Sequence, residues 1–234
     1  MKQTKLTRRL NAAFDLVREG RIVADIGTDH AYLPIALVSS GKCKKAFASD
    51  IGKGPLERAS QNISEAGLEG VIETVLTDGV AYFDGIADEI VIAGMGGELI
   101  YRIISDAPFL KSENVHIVLQ PMTKVAFLRQ ALAEDGFRID RESLVKEDGK
   151  IYTVLSVAYD GIKRELSSLD ALTGNIENAL EDGNASLMRE LLQRITYDLD
   201  NRIYGKLESG ENPVEERALR KEIQKIRREL NENS

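Results

Sequence analysis

Five short apolar runs, separated by helical patterns and ending on acids, glycines or a proline, constrain this chain more than any other feature. They are Ile22–Ile26 before Gly27, Ala46–Ser49 before Asp50, Ile72–Leu76 before Asp78-Gly79, Glu89–Ala93 before Gly94, and His116–Gln120 before Pro121. Helical spacing predicts helices over Leu33–Ser39, Pro55–Ala66, Glu98–Ser105 and Lys124–Glu134, with Pro55 in a first turn and Gly67 as a C-terminal cap. Strands alternating with helices of this length imply right-handed βαβ units and a mostly parallel sheet covered on both faces. An amphipathic helix over Leu6–Arg18 precedes the first strand, with Leu6, Leu10, Ala13, Phe14 and Val17 on one face. Phe137–Val145 and Ile151–Tyr159 read as a closing antiparallel pair around the turn Glu147-Asp148-Gly149-Lys150. The expected fold class is therefore α/β.

After Tyr159 strand patterns stop. Asn184–Leu207 reads as one helix with Leu187, Leu191, Ile195, Leu199, Ile203 and Leu207 four apart, widened by Met188 and Leu192. Ser209–Pro213 reads as a turn. Val214–Leu230 reads as a second helix with Leu219, Ile223, Ile226 and Leu230 at heptad-like spacing. A short turn between two such helices predicts an antiparallel hairpin. The expected division is residues 1–161 for the α/β unit and 162–234 for the helical hairpin.

Composition narrows the class. The chain has 234 residues, 43% hydrophobic, enough for a sizeable core. One cysteine, Cys43, forms no internal disulfide, and the N-terminal segment shows no apolar signal core; both fit a reducing cytosol. No stretch reaches the ~18 apolar residues of a membrane span. A net charge of -7 argues against a generic nucleic-acid coat but leaves room for local basic patches.

In open α/β sheets ligands bind at the carboxyl ends of the strands, near the point where strand order reverses. A dinucleotide site there wants G-x-G-x-x-G. After the first strand this chain reads Asp25-Ile26-Gly27-Thr28-Asp29-His30, with Asp29 at the second glycine position and Tyr32 at the third. Acids at that turn repel a pyrophosphate, and their side chains block its approach. No G-x-x-x-x-G-K-[ST] loop is present either. S-adenosylmethionine suits the turn better, having no phosphate and carrying a sulfonium and an ammonium. Asp25 and Asp29 could lie near those charges, Asp50 could accept from both ribose hydroxyls, and Asp78-Gly79 could touch the adenine amino group.

The segment Val23–Pro34 resembles the first motif of class I methyltransferases, departing from E/D-x-G-x-G-x-G at Asp29 and Ala31. With Ile92-Ala93-Gly94-Met95-Gly96-Gly97 and Leu119-Gln120-Pro121-Met122, it resembles the bacterial tRNA adenine-N1 methyltransferases called TrmK. The resemblance implies a Rossmann-like methyltransferase domain with a C-terminal α-helical coiled-coil hairpin, S-adenosylmethionine as cofactor, tRNA as partner and N1 of adenine 22 as target. It implies no metal. The expected cofactor-binding set is Asp25, Gly27, Thr28, His30, Asp50, Ile51, Asp78, Gly79, Gly94 and Met95. Tyr32 is expected to stack on the target base, and Lys5, Arg8 and Arg9 to meet tRNA phosphates.

Adenine N1 attacks through a lone pair, so an enzyme mainly orients the base and stabilises the charge it gains. Asp29 is the expected catalytic residue, either facing that charge or accepting a proton afterwards. Methylases of exocyclic amines place [DN]-P-P-[YF] after the fourth strand; Gly94-Met95-Gly96-Gly97 here offers backbone groups instead. Simpler readings stand beside these. Asp29 fits a helix cap, the glycines fit a tight turn, His116 fits a structural role and Cys43 an inert one. The hairpin cations Arg220, Lys221, Lys225, Arg227 and Arg228 fit a solvated face, a tRNA contact, or the rim of a dimer. A small-molecule methyltransferase and a noncatalytic RNA-binding protein are the rival functions, and monomer and homodimer stay equally open.

Overall fold

A computed structural model describes residues 6–232 of the chain. Helix α1 (Arg8–Leu16) starts where the Thr7 hydroxyl accepts the Leu10 N–H at 3.4 Å. Lys5, expected to join Arg8 and Arg9, lies outside the described residues.

The parallel strands are β1 (Ile22–Ile26), β2 (Lys45–Asp50), β3 (Ile72–Leu76), β4 (Glu89–Gly96) and β5 (His116–Thr123). Helices α2 (Tyr32–Ser39), α3 (Lys53–Glu65), α4 (Gly97–Ser105) and α5 (Val125–Glu134) alternate with them. β6 (Phe137–Glu147) and β7 (Lys150–Tyr159) complete a seven-stranded sheet of order β3-β2-β1-β4-β5-β7-β6, in which β7 runs antiparallel to both neighbours. The order reverses between β1 and β4, so the crevice above them is the natural ligand site. Asp148 and Gly149 both take positive φ, 49° and 73°, as a two-residue turn joining twisted strands requires.

The apolar runs look continuous because alternate residues feed two cores. Ile90, Ile92, Ile117 and Leu119 pack with Ile100, Ile104, Leu128 and Leu132 of α4 and α5. Val91 and Val118 face the other way, joining Ala13, Leu33, Leu37, Ala59 and Ile63 of α1, α2 and α3. Burying each such side chain contributes about 1.5–3 kcal/mol.

Several boundaries shift by one or two residues, and two shifts bear on the site. β4 continues past Gly94 to Gly96, and β5 continues through Pro121 to Thr123. β7 pairs with β5 only from His116 to Leu119, so Pro121 lies beyond that ladder and on an irregular stretch opposite Met95. Proline is tolerated at such edges and bulges because no partner awaits its missing N–H.

Beyond β7, short helices α6 (Ser168–Thr173) and α7 (Ile176–Glu181) precede the hairpin of α8 (Ala185–Glu208) and α9 (Val214–Glu232). Arg220 pairs with Asp200, and Lys206 with Glu216 at 2.5 Å, fixing an antiparallel register. The core of the hairpin holds Met188, Leu192, Ile195, Leu199 and Ile223, while Leu207 is half exposed. A strict four-residue step turns by roughly 40° each time, so the expected stripe rotates away from α9 at its far end. The helical core also takes in Leu144 of β6. Buried Arg129 of α5 binds Glu142 of β6 at 2.8 and 3.0 Å and donates to the Ala171 carbonyl of α6 at 2.8 Å. Cutting the chain after Gly161 would therefore uncover Leu144 and remove two carbonyl acceptors, those of Ala171 and Leu172, from a buried guanidinium. Among the described residues no helix is long and apolar enough to cross a membrane, and no cluster of three metal-binding side chains occurs.

At the amino end of the sheet, Glu89 is fully buried. Its carboxylate accepts from the Arg18 N–H at 3.0 Å and Arg18 Nε at 2.9 Å, and lies 2.6 Å from His116 Nδ1. His116 Nε2 meets the Ser156 hydroxyl at 2.7 Å. This network ties the end of α1 to β4, β5 and β7, and gives His116 a structural place. Removing one member of a buried charged network leaves the others unpaired, at about 3–5 kcal/mol. Glu89→Ala is expected to lower stability by about that amount, read as a lower urea midpoint with an unchanged slope; a loss under about 1 kcal/mol would refute the network's role.

Candidate active site

β1 delivers Asp25 into a buried position, and Gly27 then turns the chain with φ of 76°. The Gly27 and Thr28 N–H groups both donate to the Ser49 carbonyl, at 2.8 and 2.9 Å, stitching the turn to β2. A side chain on Gly27 would meet the movable methyl end of Met95, so the positive φ of the turn, more than lack of space, is what calls for glycine here. The Thr28 hydroxyl bonds the Asp25 carboxylate, and its oxygen accepts the Ala31 N–H at 3.2 Å. Ala31, at the third glycine position of the methyltransferase pattern, takes φ of 55° and opens α2.

Burial pushes the Asp25 carboxyl up to about 6; the Thr28 bond opposes this and the neighbouring Asp50 charge adds to it. Asp50 ends β2, where Oδ1 accepts the Gly52 N–H at 2.7 Å. Ile51 beside it is 74% exposed, an apolar side chain held open to solvent at the crevice. The Thr77 N–H donates to the Asp50 carbonyl at 3.1 Å, which brings exposed Asp78 and the left-handed Gly79 next in line. The ends of β1, β2 and β3 thus form one acid-rimmed row.

Asp29 stands at the mouth, exposed. Arg58 of α3 pairs with its Oδ1, and His30 Nε2 lies 3.3 Å from its Oδ2. The Arg58 hydrogen bond, against a smaller effect of burial and aided by the His30 and Arg58 charges, holds Asp29 below the usual carboxylate range. The His30 ring stacks on Tyr32 at 5.0 Å, nearly parallel, and Asn62 of α3 donates to the His30 carbonyl at 2.9 Å. Tyr32 and His30 therefore present a two-ring platform beside Asp29.

Gly94 has φ of 79° and is bulged out of the β4–β5 register, so Met95 rather than Gly94 sits opposite Pro121. Arg9, expected to meet a phosphate, is engaged within the fold. Its Nε binds Glu147 at 2.6 Å, its Nη1 reaches Gln120 at 3.2 Å, and its guanidinium lies over Tyr152. Arg8 is exposed, with Nη1 donating to the Lys146 carbonyl at 3.2 Å. Arg58 and Gln120 are the two site residues that the sequence reading missed. Arg58 carries no local signal, being an ordinary cation on a helix; a glutamine closing an apolar strand, by contrast, was a signal.

The arrangement suits a ligand with cationic character and hydrogen-bond donors. Asp25 is buried beside a second carboxylate, and Arg58 pairs with Asp29 instead of neutralising either. A cation or ribose hydroxyls would relieve that strain, whereas a phosphate would aggravate it.

The comparisons with known proteins agree with this geometry. A family model described as a methyltransferase domain matches residues 6–155. The tRNA (adenine(22)-N(1))-methyltransferase of Bacillus subtilis (strain 168) is 35% identical over 170 residues, 69% of this chain and 71% of that protein. The solved M. capricolum TrmK, in complex with S-adenosyl-homocysteine, superposes with a TM-score of 0.76 at 28% identity over 97% of this chain and 98% of that one. The chain belongs to the TrmK family of methyltransferases. A further relative, a Streptococcus pneumoniae protein assigned as a tRNA (m1A22) methyltransferase and solved with S-adenosyl-L-methionine, gives a TM-score of 0.80 at 32% identity, covering 94% of this chain and 99% of that one. The TrmK likeness therefore extends over the helical hairpin as well as the sheet.

Asp25 generates a test without any ligand. Its folded pKa of about 6 exceeds the ordinary 3.8, so the stability it contributes is present below pH ~4 and lost as pH rises through 6. Asp25→Asn keeps an acceptor for Thr28 and removes the charge. The variant is expected to be more stable than wild type at pH 8, by up to about 3 kcal/mol, and no more stable at pH 4. Denaturant melts at the two pH values check this; an equal difference at both would contradict it.

Proposed function

We propose that this chain transfers a methyl group from S-adenosylmethionine to N1 of an adenine in tRNA, adenine 22 being the target that the family likeness supports. The reading places the reaction in the cytoplasm. The observation that carries it is the acid-rimmed crevice above β1 and β2, with Asp25 buried beside Asp50 and bonded by the Thr28 hydroxyl. In this reading Asp50 accepts from the ribose hydroxyls, Asp78 and Gly79 border the adenine, and Ile51 covers one of its faces. Asp25 and the Gly27–Thr28 turn hold the amino-acid end, and His30 and Gly94–Met95 border the reacting end. When bound, S-adenosylmethionine supplies an electrophilic methyl group on a sulfonium.

The protein's own residues then have three tasks. The His30–Tyr32 platform offers an aromatic face to a base drawn out of its stack, whose unstacking costs a few kcal/mol. The backbone of Gly94–Gly97 shapes the acceptor side. Asp29 faces the positive charge that appears on the adenine ring as N1–CH3 forms and S–CH3 breaks. The Arg58 hydrogen bond makes Asp29 a weaker base than a free carboxylate, so Asp29 serves as a fixed negative charge rather than as a proton acceptor. An anion that is exposed and already paired exerts only a modest field, so its share of the rate is expected to be small.

The helical segment from residue 162 is read as the part that widens the tRNA contact. Of its expected cations, Arg220 is committed to Asp200, and Lys225 lies 3.8 Å from Glu229. Arg227 lines an open groove with Gln193, Arg194, Tyr197 and Asn231. Cations beside an exposed aromatic ring suit a phosphate backbone with an unstacked base.

The test is incubation of the full chain with unmodified tRNA and labelled donor, with the product mapped by mass spectrometry. N1-methyladenine at position 22 is expected; methyl transfer only to small metabolites would overturn the proposal. Asp50→Ala should weaken donor affinity at least about tenfold by calorimetry, since it removes two hydrogen bonds to a charged acceptor. Asp29→Asn should lower kcat by about tenfold while the protein stays folded, and wild-type turnover in that variant would remove Asp29 from the reaction.

A further inference from the structure

The carboxyl ends of β4 and β5 carry two complementary irregularities. Ala93 faces Gln120, Met95 faces Pro121 and Gly96 faces Thr123, so Gly94 is the extra residue on one strand and Met122 on the other. Such a stretch has no regular ladder to hold its register, and Pro121 has no N–H to offer. Yet it borders the acceptor side of the crevice, where Met95 closes against Gly27.

One buried side chain takes the place of the missing rungs. Gln120 is 1% exposed. Its Oε1 accepts the Gly94 N–H at 3.2 Å and Arg9 Nη1 at 3.2 Å. Its Nε2 donates to the Pro121 carbonyl at 3.0 Å and approaches the Met122 sulfur at 3.7 Å. Arg9 Nη1 also lies 2.9 Å from that sulfur. A single amide therefore binds both bulges at once.

An amide has nearly the same shape either way round, and a flip would set its NH2 against the Gly94 N–H. Arg9 prevents this. A guanidinium only donates, so two donors, Arg9 and Gly94, converge on one point and demand the oxygen there. Arg9 is fixed in turn: Glu147 accepts its Nε at 2.6 Å and its backbone N–H at 3.1 Å, and its guanidinium lies 4.9 Å from the centre of the Tyr152 ring. The path runs from the β6–β7 hairpin through Arg9 and Gln120 to Gly94, and on to Met95.

We infer that Gln120, oriented by Arg9, is a positioning residue for methyl transfer: it sets the Gly94–Met95 wall and with it the acceptor's angle to the donor. The inference rests on the methyl-transfer reading above. It assigns Arg9 to the geometry of the acceptor site rather than to phosphate binding, and assigns a role to the Leu119-Gln120-Pro121-Met122 segment.

The experiment measures kcat and KM for tRNA, donor affinity by calorimetry, and melting temperature, on the full chain and its variants. Gln120→Leu removes both acceptance and donation, and kcat is expected to fall roughly 10- to 100-fold, the range for a small misplacement of reacting groups, with KM for tRNA and donor affinity changed far less. Gln120→Glu keeps acceptor oxygens for Arg9 and Gly94 but sets an oxygen against the Pro121 carbonyl, and should recover only part of the turnover that Gln120→Leu loses. Arg9→Lys keeps the charge but loses the fork that spans Glu147 and Gln120; it should lower kcat severalfold with little loss of melting temperature, and serves if Gln120→Leu folds poorly. Wild-type kcat in both Gln120→Leu and Arg9→Lys would overturn the inference. So would a rise in KM for tRNA at constant kcat in Arg9→Lys, the signature of a phosphate contact. Wild-type protein that leaves tRNA unmethylated would overturn the tRNA reading and this inference together, whereas active wild type with indifferent variants overturns this inference alone.

Discussion

Burying the Asp25 carboxylate at the end of the central strand costs free energy that the fold alone does not recover. Its direct hydrogen bond comes from Thr28, and its charged neighbour is a second acid, Asp50. The rest of the crevice follows from that cost. Gly27 and Thr28 must bond to Ser49 to hold the turn closed. The acids at the neighbouring strand ends cannot be paired off by basic side chains without losing the site. A ligand bearing positive charge and hydroxyl donors supplies what the protein withholds, so the same burial that weakens the free protein strengthens its preference for a phosphate-free cationic cofactor.

The opposite end of the same sheet shows what full compensation looks like. Glu89 is as buried as Asp25, yet its two oxygens are met by Arg18 Nε, the Arg18 N–H and His116. The two acids differ in partners, not in burial. Strand ends facing the amino side carry a closed network that joins α1 to three strands, and strand ends facing the carboxyl side carry an open one. That asymmetry lets a seven-stranded sheet be rigid and still hold an unsatisfied site at its switch point.

Much of the fold was legible in the sequence because it rests on local rules. β1 and β3 begin and end where alternation and turn residues place them, and the Asp148-Gly149 hairpin follows from the positive φ that its turn demands. The row Asp25, Asp50, Asp78 was legible too, since each acid lies within two residues of a strand end. What escaped depends on long-range contact. Pro121 looked like a stop, because only the assembled sheet shows that β7 pairing ends at Leu119. Arg58 looked like any helix cation, because nothing local joins it to Asp29. Arg9 looked like a surface charge, because Glu147 and Tyr152 lie more than a hundred residues away. Helices α6 and α7 span only six residues each, too short to leave a periodic pattern.

The glycine-rich end of β4 has a cost that the strand ends nearer Asp25 do not share. A site built from side chains can be held by their own packing, but one built from backbone takes its geometry from whatever holds the strand. Here the regular ladder fails at Gly94 and Met122, so precision passes to residues outside the crevice. The N-terminal helix and the β6–β7 hairpin, remote in sequence from the cofactor turn, become part of the machinery through Arg9 and Gln120. β6 also carries Leu144 and Glu142, which dock the C-terminal helices. β6 therefore meets both Arg9, through Glu147, and the C-terminal helices, and a load placed on the hairpin by a bound tRNA has a route through ion pairs and hydrogen bonds to the place where the methyl group is received.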